Sequence, residues 1–337
     1  MQALEGFLKK KNFRTKDIQR IRRRIFKDFS FSLSHDLGDE SGVFGSSFKD
    51  AFLTLSKRMD SRIDGASKLL LKTNEGYEIE TVILRIKSGR VTLCVSSQVG
   101  CTEKCGFCAT AQMGFLRNLK SDEILDQIRI AGIMLAEENL KIKNIVFMGM
   151  GEPLRNYHNL KGALTKLIMG KMFGIAEENI TVSTSGVLSE LLRLAESFPS
   201  LCIALSLNAS RNEQRRLIMP LNDKFPLEEI RDNLKSIEFV HKGVCLIEYI
   251  LFENFNDTES DVKRLVLLLK GLSVHINLIS YNSSSLENFN LKGSSDDKIR
   301  KFQKSLQFHG FTVTRRYSLG QDIYAACGQL ANKSRSE

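Results

Sequence analysis

Proline is scarce in this chain. Its four prolines, Pro153, Pro199, Pro220 and Pro226, and its 23 glycines are too few among 337 residues for a collagen-like or linker-dominated protein. Long apolar runs are missing as well. No stretch approaches the roughly 20 residues that cross a bilayer, which argues against an integral membrane protein. The opening MQALEGFLKKKNFR has no apolar signal core, so a cytoplasmic location is expected rather than secretion. In that compartment seven cysteines point to metal or redox chemistry, not to a disulfide scaffold. What is present is 42% hydrophobic and 26% charged, enough for a sizeable core. The length suits one large α/β domain with an appendage, or two ordinary domains.

Charge is uneven. Lys and Arg number 49 against 39 Asp and Glu, a net charge of +10. Residues 1–30 hold ten of the basic side chains and three acids, and so carry most of that surplus. Ile18, Ile21 and Ile25 recur there at helical spacing, with Arg20, Arg22, Arg23 and Arg24 around them. The spacing predicts a helix with one apolar stripe and a basic flank. Two readings stay open for that flank: contact with the phosphates of a polyanion, or a solvated charged face. Residues 30–75 begin Ser/Gly-rich and end in the helical-looking AFLTLSKRM, and a domain boundary is expected near residue 75.

From residue 79 the pattern becomes regular. Short β-rich runs (ETVILRI, VTLCV, NIVFMGM, NITVST, LCIALSL, VCLIEYIL, VHINLIS, FTVTRRY) are separated, for the most part, by helical stretches. From VTLCV onward this alternation predicts parallel strands with right-handed crossovers. Six such units suit an open or partial TIM-type barrel better than a doubly wound sheet. In either fold the chemistry belongs at the C-terminal ends of the strands. Polar and reactive residues stand there. Cys101, Cys105 and Cys108 follow VTLCV, and Gly151 and Glu152 follow NIVFMGM. Ser183 and Thr184 end NITVST, Ser206 and Asn208 end LCIALSL, and Asn282 follows VHINLIS. Each alone is an ordinary cap or turn residue; their clustering on the face that carries three cysteines is not.

The most specific motif is Cys101-Thr-Glu-Lys-Cys105-Gly-Phe-Cys108. Three thiolates within eight residues are soft ligands for an iron–sulfur cluster or for zinc. Structural zinc takes four ligands, and no neighbouring His or Cys supplies the fourth. Three ligands suit a four-iron cluster with one iron open; zinc with a distant fourth ligand is the alternative. The motif, with an aromatic before its last Cys, resembles the radical S-adenosylmethionine (radical SAM) superfamily. There the open iron chelates S-adenosyl-L-methionine. Met148-Gly-Met-Gly-Glu-Pro153 looks like that superfamily's methionine-binding element, which implies that Glu152 faces the SAM ammonium.

Cys94, in LCVSSQVGC, reads by itself as a small apolar residue on a buried strand, and Cys327, in AACGQL, as a helix-end residue. Together with the cluster motif, GFLRNL, FMGMGEPL, TVSTSG, ALSL, MPLND, NLI and DI-AACGQL, they resemble the RlmN/Cfr family of RNA adenine methyltransferases, from about residue 80 to 330. The resemblance implies a partial (β/α)6 barrel of radical SAM type over 76–330. It leaves a small basic helical RNA-contacting domain over 1–75 and a tail over 331–337. It implies a [4Fe-4S] cluster on Cys101, Cys105 and Cys108. SAM contacts fall to Gly151, Glu152, Ser183, Ser206, Leu207, Asn208 and Asn282. Cys327 carries the methyl group, Cys94 resolves the protein–RNA thioether through a transient disulfide, and Glu80 matches the family's proton acceptor. An exposed strand-edge carboxylate is the other reading of Glu80. The implied substrate is 23S rRNA, with tRNA as a candidate second one. The electron donor is of flavodoxin or ferredoxin type, and the chain is expected to act as a monomer. Asn208 stands where the family has His. Leu319 follows the Cfr pattern and Pro153 that of RlmN. C2 of adenine is the expected target, C8 the alternative. Cys202 and Cys245 read as core, and Glu248 as a buried polar contact without a role.

Overall fold

The computed structural model describes residues 13–27, 52–283 and 291–331. The basic residues before position 13, the Ser/Gly-rich stretch to residue 51 and the tail beyond 331 lie outside these, as do the side chains of Arg22, Arg24 and Ile25. The expected N-terminal helix is α1 (Thr15–Phe26), whose apolar stripe buries Ile18 and Ile21. Burying each such side chain contributes about 1.5–3 kcal/mol, while Arg20 and Arg23 are exposed.

Ten strands form one sheet. It begins with β1 (Leu53–Asp60), β2 (Ala66–Thr73), β3 (Glu78–Arg85) and β4 (Val91–Cys94), paired antiparallel in chain order. The helical-looking AFLTLSKRM is therefore a strand, not a helix. Within β1 just Leu53 is buried and a bulge falls between Leu55 and Lys57, so it is the hydrogen bonding to β2, not an apolar alternation, that overrides local propensity. The sheet thus extends back across the boundary expected near residue 75, which falls in the turn between β2 and β3.

A small ribbon of β5 (Gln98–Gly100) and β6 (Phe115–Asn118) leaves the sheet after β4. The sheet then continues through β7 (Ile142–Phe147), β8 (Ile180–Thr184), β9 (Cys202–Ser206), β10 (Cys245–Leu251), β11 (His275–Ser280) and β12 (Thr312–Arg316). From β4 to β12 all pairs are parallel. That makes seven parallel strands and six crossovers. Spatial order equals chain order throughout. A doubly wound sheet reverses its order at a switch point; this one never does, an order in which right-handed crossovers put the connecting helices on one face. Among the described residues β12 does not pair back to β4, so the sheet is open, not a closed barrel.

The interior carries the strands' apolar side chains, Leu93, Ile145, Val182, Ile203 and Ile247 among them. Cys245 is buried as expected, whereas Cys202 at the start of β9 is only partly so. No helix of the described residues is long and apolar enough to cross a membrane.

Candidate active site at the strand C-termini

The loop carrying Cys101, Cys105 and Cys108 is pinned at both ends. Gly100 and Gly114 meet where β5 and β6 join: a Cβ on Gly100 would lie 1.8 Å from the Gly114 carbonyl oxygen. The Cys101 N–H donates to that oxygen at 3.0 Å. The aromatic of the motif, Phe107, buries itself among Ile218, Met219 and Phe252 and so anchors the loop's far side. Gly106 N–H adds a hydrogen bond to Ile218 O at 3.0 Å. Cys108 then leads into a one-turn helix, α2 (Ala109–Gln112).

All three thiols are pushed upward, first by burial. For Cys101 and Cys105 the next cause is the charge of the other cysteines. Ionising one opposes ionising the next, so the three sit within electrostatic reach of each other. Arg215 works the other way on Cys105. It is fully buried and fans its guanidinium over the carbonyls of Ser185, Ser206 and Leu207, which fixes the ends of β8 and β9. Burial lowers its pKa to about 10, still well above neutrality. Three soft thiols beside a buried cation suit an anionic iron–sulfur cluster. Among the described residues no three Cys, His, Asp or Glu are gathered tightly enough for a single metal ion. Anaerobic reconstitution should therefore load about four irons per chain. Cys101→Ala, Cys105→Ala and Cys108→Ala should each lose them. Zinc without iron in the wild type would defeat this assignment.

Cys327 lies close to this loop. Ala109 N–H donates to Gly328 O at 2.8 Å and Thr110 Oγ1 to Leu330 O at 2.6 Å, docking the C-terminal segment onto α2. Cys327 is near enough to Cys108 and to Cys94 to disfavour a second negative charge on each. Cys94 ends β4, and both cysteines line one cavity of about 250 Å³ together with Val82, Met148 and Arg316. They are not bonded to each other. Burial, then Cys327, pushes the Cys94 thiol up to about 12, with Arg316 opposing. Arg316 itself is raised by Cys327, Glu248 and Cys94. Its Nη1 lies 3.9 Å from Glu248 Oε2 and 3.0 Å from Met148 Sδ. The pattern of the sequence singled out neither this cation nor its carboxylate partner's role.

Glu80 is neither exposed nor at an edge. It is 1% exposed on β3, between β2 and β4. Its Oε1 pairs with Lys68 Nζ at 2.9 Å, and Lys68 is equally buried. Lys68, Val82 and Cys94 lie opposite one another in one row across three strands, with Glu80 two residues along on the same face. Lys68 Nζ also donates to Tyr324 O at 3.2 Å, which reaches the segment carrying Cys327. Nothing in the pattern ASKLLLKT marks Lys68 as special; only the pairing of β2 with β3 does.

The residues expected to contact SAM divide. Gly151 has φ +100°, and a Cβ there would meet Gln98 at 2.5 Å, so the loop after β7 needs glycine to pack on β5, just beyond the end of β4. Glu152 is buried and raised by that burial. Its Oε2 accepts from Ser185 N–H and Oγ–H, both at 2.8 Å, and its Oε1 from Leu154 N–H at 3.1 Å. Ser185 was not singled out by position; it stands one residue beyond β8, next to the Ser183-Thr184 pair. Ser183 and Ser206 are partly buried at the ends of β8 and β9, and Leu207 is fully buried. Asn208 adopts φ 58°, accepts from Ile250 N–H at 2.9 Å and donates to Met219 Sδ at 3.4 Å. Asn282 donates to Ser318 Oγ at 2.9 Å and to Cys327 O at 3.3 Å, and accepts from Gln321 at 2.8 Å. It thus ties the end of β11 to the Cys327 turn.

Residues 95–269 match the model of the Radical SAM superfamily. A probable RNA methyltransferase of Rhodopirellula baltica is 46% identical over 82% of this chain and 73% of that protein. A dual-specificity RNA methyltransferase RlmN of Ruthia magnifica subsp. Calyptogena magnifica is 37% identical over 98% of this chain and 93% of its own. Among solved structures, a radical SAM methyltransferase from Sphaerobacter thermophilus superposes with a TM-score of 0.89 at 31% identity. The match covers 97% of this chain and 96% of that one.

Proposed function

The chain belongs to the radical SAM superfamily and, within it, to the RlmN/Cfr family of RNA methyltransferases, and from that premise we propose that it methylates a ring carbon of adenosine in 23S rRNA, C2 in our reading, with tRNA as a second substrate. It is a SAM-dependent RNA methyltransferase of EC class 2.1.1. When bound, the [4Fe-4S] cluster and SAM supply a methyl group and the radical chemistry that activates it, with the electron from a flavodoxin- or ferredoxin-type donor. Cys101, Cys105 and Cys108 hold the cluster. Gly151, Glu152, Ser183, Ser206, Leu207, Asn208 and Asn282 shape the bay for SAM at the strand ends. Cys327 Sγ carries the methyl carbon as a thioether and delivers it to the ring. Glu80 takes the ring proton. Cys94 Sγ then attacks the Cys327 sulfur: the S–S bond forms, the bond from Cys327 sulfur to the transferred carbon breaks, and the thiol proton of Cys94 ends on that carbon, freeing the methylated base.

The observation that carries this reading is the shared cavity of Cys94 and Cys327, with Cys327 beside Cys108. A carrier thiol and a resolving thiol must meet, and the carrier must adjoin the cluster; a radical SAM enzyme of another class needs neither. Mass spectrometry of 23S rRNA and tRNA from a deletion strain tests it. One adenosine should lose a ring methyl group at C2. An unchanged methylation map would overturn the proposal, and loss at C8 would select the Cfr-like reading that Leu319, on the cavity wall, favours.

The basic stretch around α1 is proposed to bind RNA phosphates. Replacing Arg22, Arg23 and Arg24 by Ala should then flatten the salt dependence of RNA affinity, by roughly 0.7–0.9 in slope for each phosphate left without its cation. An unchanged slope would return this flank to a solvated charged face.

A further inference from the structure

We propose that Tyr317 is a substrate-positioning residue, a ring at the mouth of the two-cysteine cavity on which an unpaired base of the RNA stacks. The inference rests on the function proposed above and concerns how the RNA is held there. Most of the cavity wall is buried or partly buried. Its two well-exposed side chains are Ile86, 41% exposed, and Tyr317, 75% exposed, and these mark where the cavity opens to solvent. An enzyme acting on a ring carbon must receive the base unstacked from its neighbours, and the lost stacking has to be replaced. Aromatic faces do that for unpaired bases of any identity.

Tyr317 is held for the task. The Arg315 guanidinium lies 5.1 Å from its ring centroid. Arg315 is in turn anchored by Asp296 and by Ser280 Oγ at 3.3 Å, and its side chain is only 13% exposed. A fixed cation over one face orients an otherwise free ring and leaves it displayed at the opening. Tyr317 follows Arg316, which faces both cysteines, so the platform and the reacting thiols are set by consecutive residues of one strand end.

The test uses the reconstituted enzyme and a 23S rRNA transcript. Tyr317→Ala should raise KM for the RNA roughly tenfold, in line with the loss of one stacked base, with kcat at saturating RNA nearly kept. Tyr317→Phe should restore the affinity, because it keeps the ring. The chain contains no tryptophan, so Tyr317→Trp introduces a single indole whose emission should be quenched as the transcript is added, saturating in step with binding. A wild-type protein that methylates the RNA, with Tyr317→Ala sharing its KM or with indole emission indifferent to RNA, overturns the platform and leaves the proposed function standing. A wild type that neither binds nor methylates the transcript overturns both.

Discussion

Cys94→Ala should accumulate covalently bound to RNA, whereas Cys327→Ala should leave the RNA untouched. The two thiols share a cavity but act at different times in the proposed sequence. Without Cys327 there is no sulfur to carry the methyl carbon, so neither protein methylation nor RNA modification follows. Without Cys94 the carrier is still charged and still joins the ring, but nothing displaces the thioether sulfur. Burial, then Cys327, pushes the Cys94 thiol up to about 12, which suits a thiol that rests protonated at neutral pH, with Arg316 beside it opposing that shift. The bound species should run as a nuclease-sensitive mass shift on a denaturing gel. The double variant Cys94→Ala/Cys327→Ala should lose it, which identifies the attachment point. If Cys94 were a packing residue alone, its replacement by Ala would leave a small void costing about 1 kcal/mol and normal turnover. Normal turnover would therefore defeat the two-cysteine scheme.

What the sequence made legible was local in character. Cys101, Cys105 and Cys108 stand within one loop, and spacing alone marks them as a candidate ligand set. The crossovers after Cys94 were legible because each strand and helix carries its own period. β1 was misread because its signal is weak: an edge strand with one buried residue gives little alternation to detect, and its identity comes from pairing with β2. The rest of the site is assembled by contacts between distant segments. Arg316 meets Glu248, Cys94 and Cys327 only because β12, β10, β4 and the C-terminal turn converge. Arg215 holds the ends of β8 and β9 from a helix outside the sheet. Arg316 and Glu248, or Arg215 and Ser185, stand too far apart in the chain for a local window to hold both partners. That Cys94 and Cys327 belong together was legible through family resemblance, and the cavity gives it a physical basis.

The buried pair of Lys68 and Glu80 carries the other large effect, and it separates folding from chemistry. Both side chains are 1% exposed, with 2.9 Å between Nζ and Oε1. Lys68→Met removes the cation and strands a carboxylate in the interior, which should destabilise the fold by about 3–5 kcal/mol. Glu80→Gln leaves the ammonium with Tyr324 O as a remaining acceptor and should also destabilise. Combining them removes both charges, so Lys68→Met/Glu80→Gln should recover most of the loss in a denaturation experiment, the sign of a coupled pair. A single Lys68→Met loss under about 1 kcal/mol would show that the pair is not what holds this row of the sheet. Catalysis should not follow stability. If Glu80 takes the ring proton, the refolded double variant should still methylate Cys327, because that step needs no proton acceptor on β3, yet release methylated RNA far more slowly than wild type. Full turnover in the double variant would leave Glu80 a structural partner of Lys68 and move the proton to a group that lines the cavity, as Glu80 does not.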